Sequence, residues 1–185
     1  MTSKLKTDVL ETVSGSGTIA LTNQLSGMTT ASLPTLTSTE MPAGSVINVY
    51  YHELSPVDVH TTSTSFVNTG LSITLTPLSA SSRFLISYSH SPHGNTNTSW
   101  NQDAVFRGST YTTIRGGMRF NLASGWRTYA TTTSGVDSPN TTSAITYTVK
   151  MNNSGTTGYW HVAGHLDGGD ASPNAASLTI TEIKG

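Results

Sequence analysis

A chain of 185 residues with a net charge of −1 and 10% charged residues is long enough for one domain with a sizeable core plus an extension. Its charge fraction lies far below the roughly 25% usual in soluble domains, which excludes the clustered Lys and Arg that a nucleic-acid or anionic-membrane partner needs. The absence of cysteine excludes disulfide staples and thiolate zinc sites.

Thr, Ser and Asn stand where Lys and Glu usually do, so the expected surface is polar but uncharged. The opening Met1-Thr2-Ser3-Lys4-Leu5-Lys6 leads into no apolar run, and no stretch approaches the roughly 18 apolar residues of a membrane span. The expectation is a protein made in a cytoplasm, with no signal peptide and no membrane insertion.

In chain order, Lys4 to Glu11 sets two lysines and two acids around Leu5, Val9 and Leu10 and admits a short helix. Ser14-Gly15-Ser16-Gly17 breaks it, and Thr18 to Thr22 alternates like a strand around Ile19 and Leu21. Leu25 and Met28 follow without period among Thr and Ser. Such a segment cannot build a core alone, but copies of it can bury these residues together around a symmetry axis. Residues 1–44 therefore read as an extended attachment and oligomerisation arm.

From Ser45 the pattern is all-β. Val46 to Tyr51 forms a dense apolar strand that ends near Pro56. Phe66 to Gly70 reads as a strand and turn, and Leu71, Ile73 and Leu75 alternate with polar residues up to Pro77. Phe84, Ile86 and Tyr88 repeat the pattern until Pro92-His93-Gly94 punctuates it. Ala104 to Phe106, Tyr111 to Ile114 and Met118 to Leu122 read as strands separated by Gly108 and Gly116-Gly117. Trp126 to Ala130 begins another. Ile145, Tyr147, Val149 and Met151 alternate most cleanly, and Tyr159 to Val162 and Leu178 to Ile183 close the series. Short strands with frequent turns predict an antiparallel β-sandwich head, jelly-roll-like, over residues 45–185.

Chemistry is sparse. His161 and His165 have helical ligand spacing, but in a strand at about 3.3 Å per residue they stand about 13 Å apart, too far to share an ion. Glycan hydrolysis needs two carboxylates about 5–10 Å apart, and Asp167 and Asp170 are the closest pair outside the arm. The five arginines (Arg83, Arg107, Arg115, Arg119, Arg127) read as strand-face and turn positions. No nucleophile elbow, phosphate loop or dinucleotide fingerprint is present. No catalytic residue, metal or cofactor is expected.

Sugar recognition has better candidates. Aromatic faces flanked by amides and carboxylates suit sugar rings. One loop offers His93, Asn95, Asn97 and Trp100; the other offers Trp160, Asp167 and Asp170. Trp100, Trp126 and Trp160 serve equally well as packing inside a sandwich.

Several stretches resemble a family of small virion appendage proteins of tailed bacteriophages, especially marine and cyanobacterial ones. They are Met41-Pro42-Ala43-Gly44-Ser45-Val46, then Ser65 to Leu71 through Ile73 and Pro77 to Ser82-Arg83-Phe84-Leu85-Ile86. Phe106-Arg107-Gly108-Ser109-Thr110, Asp137 to Tyr147 and Ala176 to Ile183 follow in the same order and spacing. Lys4 to Leu21, with its Ser-Gly-x-Gly-Thr-Ile, is similar to fibre attachment arms. The resemblance implies a trimeric β head on a fibre or spike, mounted on other virion proteins by its arm and contacting a host-surface glycan or protein. It implies no catalytic residue. Two alternatives stay open: a capsid decoration (cement) or head-spike protein whose arm binds the coat, and a glycan-cleaving depolymerase.

Overall fold

The computed structural model describes residues 37–54, 59–91, 93–94, 100–119, 127–128, 130–153, 158–161 and 175–185. The expected arm residues Leu5, Val9, Leu10, Ile19, Leu21, Leu25 and Met28 lie outside the described residues.

The described residues are all-β, with no helix among them. Strands are numbered in chain order. One antiparallel sheet runs β1 (Val46–Leu54), β12 (Ala176–Ile183), β4 (Arg83–His90) and β9 (Thr131–Asp137). The second runs β3 (Val67–Leu75), β10 (Ile145–Asn153), β6 (Trp100–Arg107) and β7 (Thr110–Arg119). A small third sheet joins β2 (Val59–Thr61), β11 (Gly158–His161), β5 (His93–Gly94) and β8 (Arg127–Thr128).

The period-2 alternation explains the core. Leu71, Ile73, Leu75, Tyr147, Val149 and Met151 from the second sheet meet Phe84, Ile86, Tyr88, Leu178 and Ile180 from the first, all buried in one cluster. The rings of Phe84 and Tyr147 lie 6.0 Å apart across the interface. Each such side chain contributes about 1.5–3 kcal/mol on leaving water.

Four local expectations are corrected. First, Gly70 does not end a strand. It sits at φ +90° inside continuous β3, where the register against β10 shifts. The bulge turns Thr69 inward, so that its Oγ1 donates to the Val149 carbonyl at 2.7 Å and accepts the Leu71 N–H at 3.3 Å. The opposite edge repeats the device: Thr112 Oγ1 donates to the Val105 carbonyl at 2.6 Å and accepts the Ile114 N–H at 3.3 Å. Hydroxyls thus satisfy backbone groups that the bulges leave without ladder partners.

Second, Gly116-Gly117 is not a break but lies within β7. Gly116 stands opposite Asp103, and a Cβ there would lie 2.6 Å from Asp103 Oδ2 and 2.7 Å from Thr133 Oγ1. A side chain there would have to displace the Asp103 carboxylate or the Thr133 hydroxyl. Third, the apolar β1 is an edge strand, with Val46, Val49 and Tyr51 55–60% exposed. Fourth, the strand read as beginning over Trp126 to Ala130 gives β8 at Arg127–Thr128 and a separate β9 (Thr-Thr-Thr-Ser-Gly-Val-Asp), which carries almost no apolar signal. Its inward positions are small because β7 approaches closely: a Cβ on Gly135 would lie 2.7 Å from Ile114 Cγ1.

The compact unit spans Thr37–Gly185, so it takes in the residues just before Ser45. The Gly44 N–H donates to the Lys184 carbonyl at 2.8 Å, and the Lys184 N–H donates to the Ser45 carbonyl at 2.9 Å. Lys184 Nζ also donates to the carbonyls of Thr39 (2.6 Å) and Met41 (2.5 Å). These bonds clasp the entry of the chain to the far end of β12.

Candidate functional site

The inward rows of several strands turn polar toward one end of the sandwich. On β4 the row Phe84-Ile86-Tyr88 ends in His90; on β6 it passes from Val105 to Asp103 and Asn101; on β10 it passes from Met151 to Asn153. His90 is 5% exposed, Asp103 4%, Asn101 2% and Asn153 3%. Polar groups removed from water this far require partners.

Most of the partners come from within the cluster. Tyr88 Oη donates to Asp103 Oδ2 in a short hydrogen bond. The His90 ring stacks on Tyr88 with centroids 5.8 Å apart. Its Nε2 stands 3.7 Å from Asp103 Oδ1, and Thr131 Oγ1 lies 3.2 Å from its Nδ1. Asn153 Nδ2 donates to Asn101 Oδ1 and, at 3.4 Å, to the Trp100 carbonyl.

Burial pushes the Asp103 carboxyl up to about 6, and the hydrogen bond from Tyr88 offsets this only in part. The Tyr88 phenol is pushed far up, first by burial and then by the charge of Asp103. Tyr88 therefore stays a proton donor at any physiological pH. Beside the cluster lies a cavity of about 220 Å³ lined by His90, Asp103, Gly116, Gly117 and Thr131 to Thr133. Among the described residues Asp103 is the one carboxylate in its lining.

The sequence-based candidates fall near this end in part. His93 lies in β5, paired with Tyr159 of β11 and Thr128 of β8, and Trp160 follows Tyr159 in β11. The third sheet thus joins the stems of the two candidate loops, which the sequence left apart. Trp100 opens β6 at 46% exposure, opposite Arg119. Asn95, Asn97, Asp167 and Asp170 lie outside the described residues, as does His165. Asp103, Tyr88, Thr131, Thr133 and Gly116 escaped sequence reading. The available signal was phase: His90 continues the inward row of Tyr88 at the next position, and Asp103 stands two residues before inward Val105.

No protein-family model matches the chain, and no curated protein matches it.

Proposed function

We propose that this chain is a structural protein of tailed-bacteriophage virions: a homotrimeric tail-fibre or related appendage subunit whose β head meets the host surface and whose residues 1–44 hold it on the particle. One observation carries the reading. The clasp of Lys184 on Thr39, Met41 and Gly44 and the polar end with its cavity lie at opposite ends of the same strands. On β12, Ala176 is at the polar end and Ile183 beside the clasp, seven steps or roughly 23 Å apart. Residues 37–44, through which the chain enters the β domain, lie at the end away from Asp103.

The strand order supports a jelly-roll assignment. Eight strands form two four-stranded sheets in the orders β1-β12-β4-β9 and β3-β10-β6-β7, an architecture shared by viral capsid and lectin domains. The outer face of the first sheet supports self-association. Val49, Thr181, Leu85 and Val136 form one row across it, and Val49, Leu85 and Val136 are 41–56% exposed. A trimer multiplies weak contacts, with avidity gains of about 10²–10⁴ where the geometry allows simultaneous engagement.

Electron microscopy of virions labelled with an antibody against the full chain tests the proposal. Label at the ends of tail appendages is expected. Label spread over the capsid would replace the reading with a decoration protein, and virions without label would end it.

A further inference from the structure

Asp103 is almost wholly buried, yet its two oxygens are treated differently. Oδ2 accepts from Tyr88, whereas Oδ1 has only the His90 ring at 3.7 Å, beyond hydrogen-bond reach, among the described residues. Ser82 Oγ is the one buried side-chain polar atom without a partner among the described residues, so Oδ1 is not sealed off but keeps access to the cavity that Asp103 lines, where it can accept from a ligand. The cavity's other groups are an imidazole, which donates or accepts according to tautomer, and three threonine hydroxyls, which do both.

This lining selects among ligand classes. An anion is repelled by Asp103. A hard divalent cation takes six or more oxygens, usually with several carboxylates, and no group of three metal-ligating side chains occurs among the described residues. Thr131 and Thr133 already bond to His90 and Tyr88, but an apolar group would leave Asp103 Oδ1 facing it without a donor. A neutral molecule with several adjacent hydroxyls fits this lining, donating to Asp103 Oδ1 and reaching the second acceptor sites of the Thr131 and Thr133 hydroxyls beside His90. Size sets the upper limit: about 220 Å³ falls below the roughly 300–1,000 Å³ of pockets for drug-sized ligands, leaving room for one ring.

The glycines open the site. Side-chain-free Gly116 lets β7 close against Asp103 and Thr133, and exposed Gly117 and Thr132 stand in the lining on the solvent side. We infer that the cavity between β7 and β9 binds a single neutral sugar residue through Asp103, His90, Thr131 and Thr133. The inference rests on the host-facing reading of the head only for the source of that sugar, a terminal unit of a surface glycan.

The test is saturation-transfer NMR on the full chain at pH 7 with neutral hexoses, deoxyhexoses and N-acetylhexosamines, with inorganic phosphate and Ca²⁺ alone as controls. At least one neutral sugar should bind, with Asp103→Asn weakening it tenfold or more and Thr131→Val several-fold. Asparagine is nearly isosteric with the neutral acid and keeps an acceptor for Tyr88, so circular dichroism should show an unchanged fold. If Asp103→Asn does not fold, Thr131→Val alone decides. No sugar signal, equal binding by both variants, or an Asp103-dependent response to phosphate or Ca²⁺ would overturn the site. Sugar binding by the chain with adsorption of virions indifferent to that sugar would sink the host-facing reading and leave the site. A chain that coats host cells but binds no monosaccharide would do the reverse.

Discussion

Two buried tyrosines donate hydrogen bonds to two aspartates near opposite ends of the sandwich, and the consequences differ. Near the clasp, Tyr147 Oη donates to Asp137 Oδ2 at 2.7 Å, and Arg107 Nε stands 3.4 Å from the same oxygen. At the other end Tyr88 donates to Asp103, and the neighbour is an imidazole at 3.7 Å from the second oxygen. A permanently charged guanidinium completes the first carboxylate and makes it a staple. The second keeps an open acceptor, a raised carboxyl and a cavity. The identity of the third group separates a brace from a site.

The contrast can be broken most severely at Tyr147. Replacing it with Asp removes the largest buried ring of the row and sets a second acid beside Asp137. The cavity and the buried acid cost several kcal/mol each, together comparable with the roughly 5–15 kcal/mol that holds a domain together. No cooperative melt by circular dichroism is expected; a folded, soluble variant would refute the assigned packing.

A pH series sharpens the comparison. The Asp103 carboxyl is raised from 3.8 to about 6 in the folded chain, so between those values the folded state binds more protons than the unfolded one. This group's contribution therefore falls as pH rises from about 4 to about 6, by about 3 kcal/mol, and stays flat beyond. Chemical denaturation of native protein and Asp103→Asn should show that decline in the native chain and its loss in the variant. Asp103→Asn should accordingly be the more stable protein at pH 7. A variant less stable than native at pH 7 would mean that the ionised carboxylate is fully compensated.

The staple should respond oppositely. Asp137→Asn weakens the hydrogen bond from Tyr147 and removes the charge facing Arg107, and a loss of about 2 kcal/mol at pH 7 is expected from the urea midpoint. Equal effects of the two Asp→Asn changes would erase the distinction between the ends. Smallest are the bulge hydroxyls. Thr69→Val and Thr112→Val each keep the shape and remove a bond to a central-strand carbonyl, costing about 1–2 kcal/mol apiece. Because they lie on different edges, their costs should add in the double variant.

The core was legible in the sequence wherever inward residues are apolar. Leu71-Ile73-Leu75, Phe84-Ile86-Tyr88 and Tyr147-Val149-Met151 alternate on the page as they do in the sandwich. Legibility failed where inward residues are small or polar. Strand β9 contributes Thr131, Thr133, Gly135 and Asp137, and nothing in that row announces burial without knowing how closely Ile114 and Asp103 approach. Glycines misled for the same reason, since Gly70 relieves a bulge and Gly116 relieves a contact. The Asp103 cluster draws on β4, β6, β7 and β9, and its members are up to 45 residues apart from Tyr88 to Thr133. Only the pairing of strands brings them together. Glu182 makes the same point: a charged residue in the last strand is fully buried because the Leu78 N–H donates to its Oε1 at 2.7 Å.

The central proposal is that the Asp103 end of the two-sheet domain meets a host surface. Competition with virion adsorption tests it most directly. Purified full chain, native or Asp103→Asn, is added to host cells before the virions, and the adsorption rate is measured. Native chain should slow adsorption, and the variant should need at least tenfold more protein for the same effect. Equal competition by the two proteins, or none by either, would contradict the account.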